Sequence, residues 1–88
     1  MKFLHRREYL DTGDIVEVDC SRQCNVMLLD DTNFRYCKNG DKFSYRGGQY
    51  KKLPARIGAP NPGYWNIVID LGAGTATIRP SIRIIKQG

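Results

Sequence analysis

The sequence has few of the features that mark catalytic or membrane-bound proteins. It holds one histidine and three cysteines among 88 residues, and its apolar runs are only a few residues long, as in Ile67-Val68-Ile69. A transmembrane helix needs about 20 consecutive apolar residues, so a helical membrane span is excluded. The charged segment from Lys2 to Arg7 stands where a secretory signal peptide would need its apolar stretch. We therefore expect a cytoplasmic protein that folds as one domain over residues 1–88.

The cysteines and the histidine form no recognisable metal site. An odd number of cysteines gives no disulfide framework, and reduced thiols fit a cytosolic location. Cys20 and Cys24 have a spacing that zinc fingers use, and Cys37 and His5 would bring the ligand count to four. However, Cys20 and Cys24 continue the apolar faces of their segments, where a cysteine behaves as a small buried hydrophobe. We expect three free thiols, no metal and no cofactor.

No arrangement of residues predicts catalysis. His5 would have to meet a serine or a cysteine in space, and nothing in the local sequence arranges such a meeting. Glu17 and Asp19 share a strand face, where outward acids are usually solvated. The segment Gly72-Ala73-Gly74 lacks the third glycine and the following helix of a dinucleotide-binding loop, so we expect a hairpin turn there. The protein is not expected to be an enzyme.

Apolar and polar residues alternate along most of the chain, and turn residues interrupt them every eight to twelve positions, which is typical of a sandwich or barrel. We predict an all-β fold, a small antiparallel β-sandwich (jelly-roll-like or barrel-like) of about seven or eight strands, with no helix. The expected strands are Lys2–Leu10 (the weakest pattern), Ile15–Cys20, Cys24–Leu28, Phe34–Cys37, Lys42–Arg46, Leu53–Ile57, Tyr64–Leu71 and Thr77–Ile85. The expected core comprises Val16, Val18, Val26, Leu28, Ile57, Trp65, Ile67, Ile69, Ile82 and Ile84.

Turn residues suggest how neighbouring strands are joined. The short link after Cys20 predicts a hairpin between the strands on either side of it, and the segment 30–33 reads as another turn because its short polar side chains bond their own backbone. Asn39-Gly40 suits the positive φ of a tight hairpin turn, and Gly47-Gly48 is expected to end the strand in which Phe43 and Tyr45 point inward. Pro54 and Pro80 indicate edge strands, strand starts or bulges.

Charge is distributed unevenly along the chain. Residues 1–31 hold four basic and seven acidic side chains, a net charge of −3, whereas residues 32–88 hold ten basic and two acidic, a net charge of +8. The sum is the net charge of +5. Such asymmetry bears on partners and solubility, and here it favours anionic partners.

The segment from Phe34 to Arg56 is the strongest candidate for binding, because seven of its side chains are basic and five are aromatic. Cations that follow phosphates and rings that stack on bases are typical of single-strand nucleic-acid binders. The alternatives are a contact with a protein partner and a solvated basic face that keeps edge strands from pairing. We predict a non-enzymatic binding or accessory module for an anionic ligand or a protein partner; self-association through edge strands into a homo-oligomer is the structural alternative. The predicted ligand-binding residues are Arg46, Tyr50, Lys51, Lys52 and Arg56.

A series of short motifs resembles a bacterial family of small all-β domains of unknown function. The motifs are Gly13-Asp14, Asn25-Val26, Asn33-Phe34, Lys38-Asn39-Gly40, Gly47-Gly48, Pro54-Ala55-Arg56, Pro60, Gly63-Tyr64-Trp65 and Asp70-Leu71-Gly72. Similar domains occur alone or before a TIR domain, which implies a sensory or accessory module attached to a signalling effector. The resemblance supplies no catalytic residues, and Cys37 departs from it by standing where a tyrosine is expected.

Overall fold

The computed structural model describes residues 2–20, 24–50, 53–72 and 80–86. Within these ranges the chain forms seven strands and one short helix. In chain order they are β1 (Lys2–Leu10), β2 (Ile15–Asp19), β3 (Cys24–Asp30), α1 (Asp31–Asn39), β4 (Arg46–Tyr50), β5 (Ala55–Gly58), β6 (Gly63–Gly72) and β7 (Ser81–Ile85). The nine-residue α1 is the one described helix, and it is too short to cross a lipid bilayer.

The strands form two antiparallel sheets, which confirms the predicted sandwich. One sheet has four strands in the order β1-β6-β3-β4, and the other has three in the order β5-β2-β7. β6 pairs with β1 and β3 along most of its length, so it is the centre of the larger sheet. β5 and β7 are edge strands, in agreement with the positions of Pro54 and Pro80 immediately before them. Residues 77–79 of the predicted last strand and the predicted turn at Ala73 and Gly74 lie outside the described residues.

The predicted hairpin between the second and third strands is wrong, because β2 and β3 belong to different sheets. β2 pairs with β5 and β7, whereas β3 pairs with β4 and β6. Alternation shows which side chains point inward but not which neighbour a strand has. Two strands that face the same interior from opposite sheets therefore have the same pattern as two strands of a hairpin.

The core lies between the two sheets and matches the prediction closely. Eight of the ten predicted residues are buried, and Ile82 and Ile84 of β7 are half-buried against them. Trp65, predicted as the anchor, is 8% exposed and donates from its indole nitrogen to the carbonyl of Asn61. Cys20 is also buried, as its place in the pattern predicted.

Helix α1 is the main departure from the predicted fold, since a strand was expected at Phe34–Cys37 and turns on either side. Asp30 is its N-cap, and its carboxylate accepts from the backbone of Asn33, as favourable caps do. Gly40 ends the helix at φ 80°, and its N–H donates to the carbonyl of Cys37. The same residues that suggested two turns are thus the two caps of one helix.

The segment after α1 also differs from prediction. Strand β4 begins only at Arg46, and Tyr45 is 49% exposed instead of buried, while Phe43 is half-buried. The double glycine lies inside β4 and does not end it. Gly47 has φ 109°, and a Cβ atom there would lie 2.2 Å from the carbonyl oxygen of Val26. β4 therefore needs glycine in order to approach β3.

Candidate functional site

The predicted ligand-binding residues are spread over both sheets. Arg46 is exposed at the start of β4, and Tyr50, at its other end, is half-buried against the core. Arg56 lies on β5 of the other sheet and donates from Nε to Glu17 over 2.9 Å. Lys51 and Lys52 lie outside the described residues. The basic segment is therefore divided between different elements, and one of its members is already ion-paired.

Glu17 has a structural environment that the alternation did not reveal. It stands directly opposite Arg56 on one side and Arg83 on the other, and both arginines pair with its carboxylate, at 2.9 and 3.2 Å. Only 14% of its side chain is exposed. Cross-strand pairs of opposite charge stabilise a sheet, so Glu17 holds the three strands together.

Asp14 is a second buried acid with a structural role. It is 2% exposed, accepts from the backbone of Asp11 at 2.9 Å, and pairs with the Lys86 ammonium at 2.8 Å. The hydrogen bond to Asp14 raises the pKa of Lys86. These contacts join the turn before β2 to the residue that follows β7.

Neither the cysteines nor His5 meets the requirements of a metal site in the described part of the chain. No three potential ligands among the described His, Cys, Asp and Glu residues lie close enough together to hold a metal ion. Cys37 is a half-buried thiol on α1. The side chain of Cys24 is not among those described.

The outer face of the four-stranded sheet, which points away from the core, has an unusual composition. It carries Met27 and Leu29 of β3 and Asn66 and Val68 of β6, which alternate with the core residues. Leu29, Asn66 and Val68 are at most 4% exposed although they do not belong to the core cluster. Helix α1 follows β3 directly and packs on this face. None of the side chains of α1 is buried, so the helix covers the sheet but does not form a second hydrophobic core between itself and the sheet.

A pocket, here named the α1 pocket, lies between α1 and this outer face. Its volume is about 590 Å³. Its walls are largely apolar because rings from β1, α1 and the following loop surround Met27 and Val68 of the sheet. The lining residues are Phe3, Asn25, Met27, Phe34, Cys37, Lys38, Phe43, Val68 and Asp70.

A polar network fixes the first turn of α1 to the sheet. Arg7 binds Asp31 through two hydrogen bonds, Nε to Oδ1 at 3.1 Å and Nη2 to Oδ2 at 2.7 Å. The amide of Asn66 also donates to Asp31 Oδ1, at 2.8 Å. The bonds from Arg7 and then from Asn66 lower the pKa of Asp31 to about 2, since both stabilise the ionised carboxylate. The network thus contains a carboxylate that stays charged under all ordinary conditions.

His5 belongs to the same network and adjoins the pocket. Its Nε2 lies 2.7 Å from Asn66 Oδ1, and its ring stacks on Phe34 with 4.1 Å between centroids. The Asn66 amide nitrogen already donates to Asp31 and to the carbonyl of Leu29, so its oxygen must accept from His5. His5 therefore carries a proton on Nε2 and positions a wall of the α1 pocket. Although His5 is exposed, its ring is held by these two contacts.

Lys38 is the cation of the α1 pocket. Its ammonium lies 5.1 Å from the centre of the Phe34 ring, within the range of a cation–π contact. The acidic residue in the lining is Asp70, which already has an interaction partner.

A second groove, of about 380 Å³, lies beside the last residues of β3. It contains one predicted site residue, Arg46, together with Tyr45 and Trp65. Three of its polar residues are already bonded to each other, since Asp30 accepts from the backbone of Asn33 and the Asn33 side chain accepts from the backbone of Ser44. This groove is more open than the α1 pocket and has fewer apolar walls.

Sequence reasoning missed the α1 pocket because it treated Phe34–Cys37 as a strand. The spacing of Asp30 and Asn33 was a usable signal for a helix start. Alternation also placed Met27 and Val68 on the solvent side of their strands, where apolar residues need a cover. No local pattern joined these two signals.

The chain matches one family model over residues 1–88, that of the domain of unknown function DUF1883. No curated protein and no solved structure matches the chain. The match covers the whole sequence, so the protein belongs to the DUF1883 family.

Proposed function

We propose that this protein is a non-enzymatic binding module whose ligand site is the α1 pocket, and that the ligand is a small molecule with a mostly apolar body. The observation that carries the proposal is the pocket of about 590 Å³ between α1 and the outer face of the four-stranded sheet. Small-molecule sites usually have volumes of about 300–1,000 Å³, apolar walls and a few placed polar groups.

The position of the pocket supports this function. Close packing is the rule in protein interiors, and apolar side chains that face a large empty space lose their contacts. Met27, which is only half-buried, faces such a space on the side away from the core, with the nearly covered Val68 beside it, although residues at these positions on an exposed sheet face are usually polar. A bound apolar molecule would supply the missing contacts.

The framework around the pocket is suited to binding without large rearrangement. Val68 and Met27 stand on the two central strands of the sheet, and they are directly opposite each other in the register. Arg7 and Asn66 hold the start of α1 through Asp31, and the stacked ring of His5 supports Phe34. A site whose walls are fixed beforehand loses less entropy when the ligand binds. Such a site also suits the sensory role that the resemblance to domains found beside TIR domains implies.

The methionines allow a direct test. The chain has two, Met1 and Met27, so ¹³C-methyl-methionine labelling gives two signals, of which that of Met27 reports on the pocket lining. We expect 4-phenylbutan-1-ol, 4-phenylbutyrate or 4-phenylbutylamine to shift the Met27 signal saturably.

Matched tryptophan substitutions locate the site. Val68→Trp fills the pocket and should abolish the Met27 shift, whereas Tyr64→Trp adds the same ring to the same face of β6 at a 52% exposed position and should preserve it. Absence of a saturable Met27 shift with all three probes, or undiminished binding to the folded Val68→Trp variant, would refute the proposed function.

A further inference from the structure

We infer that the ligand of the α1 pocket is an acid, with its apolar body in the pocket and its anionic head group paired with Lys38. This inference rests on the proposed function and adds the charge of the ligand to it. Three observations support it: the ion pairing of the basic residues, the state of the acid in the pocket, and the net charge of the chain.

The described basic side chains fall into two groups. Those outside α1 and the segment after it have a carboxylate partner; they are Arg6, Arg7, Arg56, Arg83 and Lys86. Those of residues 35–46 make no ion pair within the described ranges; they are Arg35, Lys38, Lys42 and Arg46. Among the described residues, the cations without an ion pair therefore lie on α1, which covers the pocket, and in the stretch that follows it up to the start of β4.

Among these four cations, Lys38 is the one that lines the α1 pocket. Lys38 is exposed, and its position near the Phe34 ring places a positive charge at the rim of the apolar walls. A carboxylate placed beside it would gain a charge-assisted hydrogen bond while the rest of the ligand stays among the rings.

The acid in the lining does not reverse this preference. Asp70 already takes part in an interaction of its own, so an incoming amine would have to compete for it. The chain as a whole also favours an anion, because its net charge is +5. Such a field attracts anions during the approach to the site.

The alcohol, the acid and the amine share one phenylbutyl body and differ in the charge of the head group, so a comparison of their affinities isolates the effect of charge. For the wild type we expect 4-phenylbutyrate to bind about fivefold more tightly than 4-phenylbutan-1-ol, which is the upper range of a single partly exposed ion pair. The amine should bind most weakly. The preference for the acid should shrink as salt is added, because salt screens exposed charges.

Two variants with the same change in net charge identify the cation. Lys38→Met keeps an unbranched side chain of good helix propensity and should abolish the preference for the acid over the alcohol, with the affinity for the alcohol retained. Lys42→Met removes an equal charge outside the pocket lining and should leave the preference intact.

The outcomes distinguish the two proposals. The inference is wrong, while the proposed function stands, if titration of the Met27 signal shows that the alcohol or the amine binds at least as tightly as the acid. The same holds if the Lys38→Met variant still prefers the acid over the alcohol. If none of the three probes binds, both are wrong.

Discussion

The outer faces of the two sheets both consist of the residues that alternate with core residues along the strands, but one face is charged and the other is largely apolar. On the three-stranded sheet, Glu17 is flanked by Arg56 and Arg83, and their charges pair across adjacent strands. On the four-stranded sheet, Met27 and Val68 point outward under α1, and the space between them and the helix stays open. On the first face, the charged groups of Glu17, Arg56 and Arg83 therefore pair with one another. The second has a pocket with apolar walls and the cation of Lys38, which makes no ion pair among the described residues, and for this reason we place the ligand site there.

The strongest way to break the comparison is to remove the amide that connects α1 to the sheet. Asn66→Leu should destabilise the protein by about 2–3 kcal/mol, because it removes the amide that bonds to the carbonyl of Leu29, to Asp31 and to His5. Urea unfolding measures the loss, and hydrogen exchange should show reduced protection of the α1 amides.

Asn25→Leu is the matched control for this change. Asn25 lies on the same outer face and its side chain makes no hydrogen bond within the described residues. Its replacement should change the free energy of unfolding by less than about 0.5 kcal/mol. Equal effects of the two substitutions would show that the polar network does not hold the helix.

An intermediate effect is expected on the other face. Glu17→Gln should cost about 1 kcal/mol, since it weakens two cross-strand ion pairs at a carboxylate that is mostly covered. Chemical denaturation measures this loss, and the Met27 methyl signal should respond to 4-phenylbutyrate as in the wild type.

Asp19→Asn provides the comparison for Glu17, because Asp19 is exposed on the same strand and makes no ion pair among the described residues. It should be close to neutral. A weaker response of Met27 in the Glu17 variant would mean that the two outer faces are coupled, which the comparison does not predict.

The smallest expected effect is a pH dependence that belongs to Asp31. Its pKa is about 2 in the folded protein, below its ordinary value of 3.8, so its ion pair stabilises the fold fully above about pH 5 and is lost as the pH falls towards 2. The side chain is about half exposed, so the contribution should stay below about 1 kcal/mol.

Urea unfolding of the wild type and of Asp31→Asn at pH 6, 4, 3 and 2 isolates this contribution from the other carboxylates. The difference between the two proteins should be largest at pH 6 and should shrink below pH 4. A difference that is the same at every pH would contradict the assignment.

The predictable part of this protein is the part that depends on periodicity. Alternation identified Val16 and Val18 of one sheet and Ile67 and Ile69 of the other as core residues, and an edge position was among the readings of Pro54 and Pro80, which precede the two edge strands of the three-stranded sheet. Caps were harder to recognise, because Asp30 and Gly40 are residues that both turns and helix ends use. The candidate site depended on those caps, since Phe34 and Lys38 face the sheet only when the segment between the caps is helical.

The sequence by itself determined an all-β fold, its inward-facing residues and its excess of positive charge, because each follows from residue type and spacing within one strand or over the whole chain. Only the tertiary structure decided that β2 and β3 belong to different sheets, that Arg56 is paired with Glu17, and that α1 covers Met27 and Val68. These features join residues from separate elements, often dozens of positions apart in the chain. Their contacts depend on which strands become neighbours, and no local pattern contains that information.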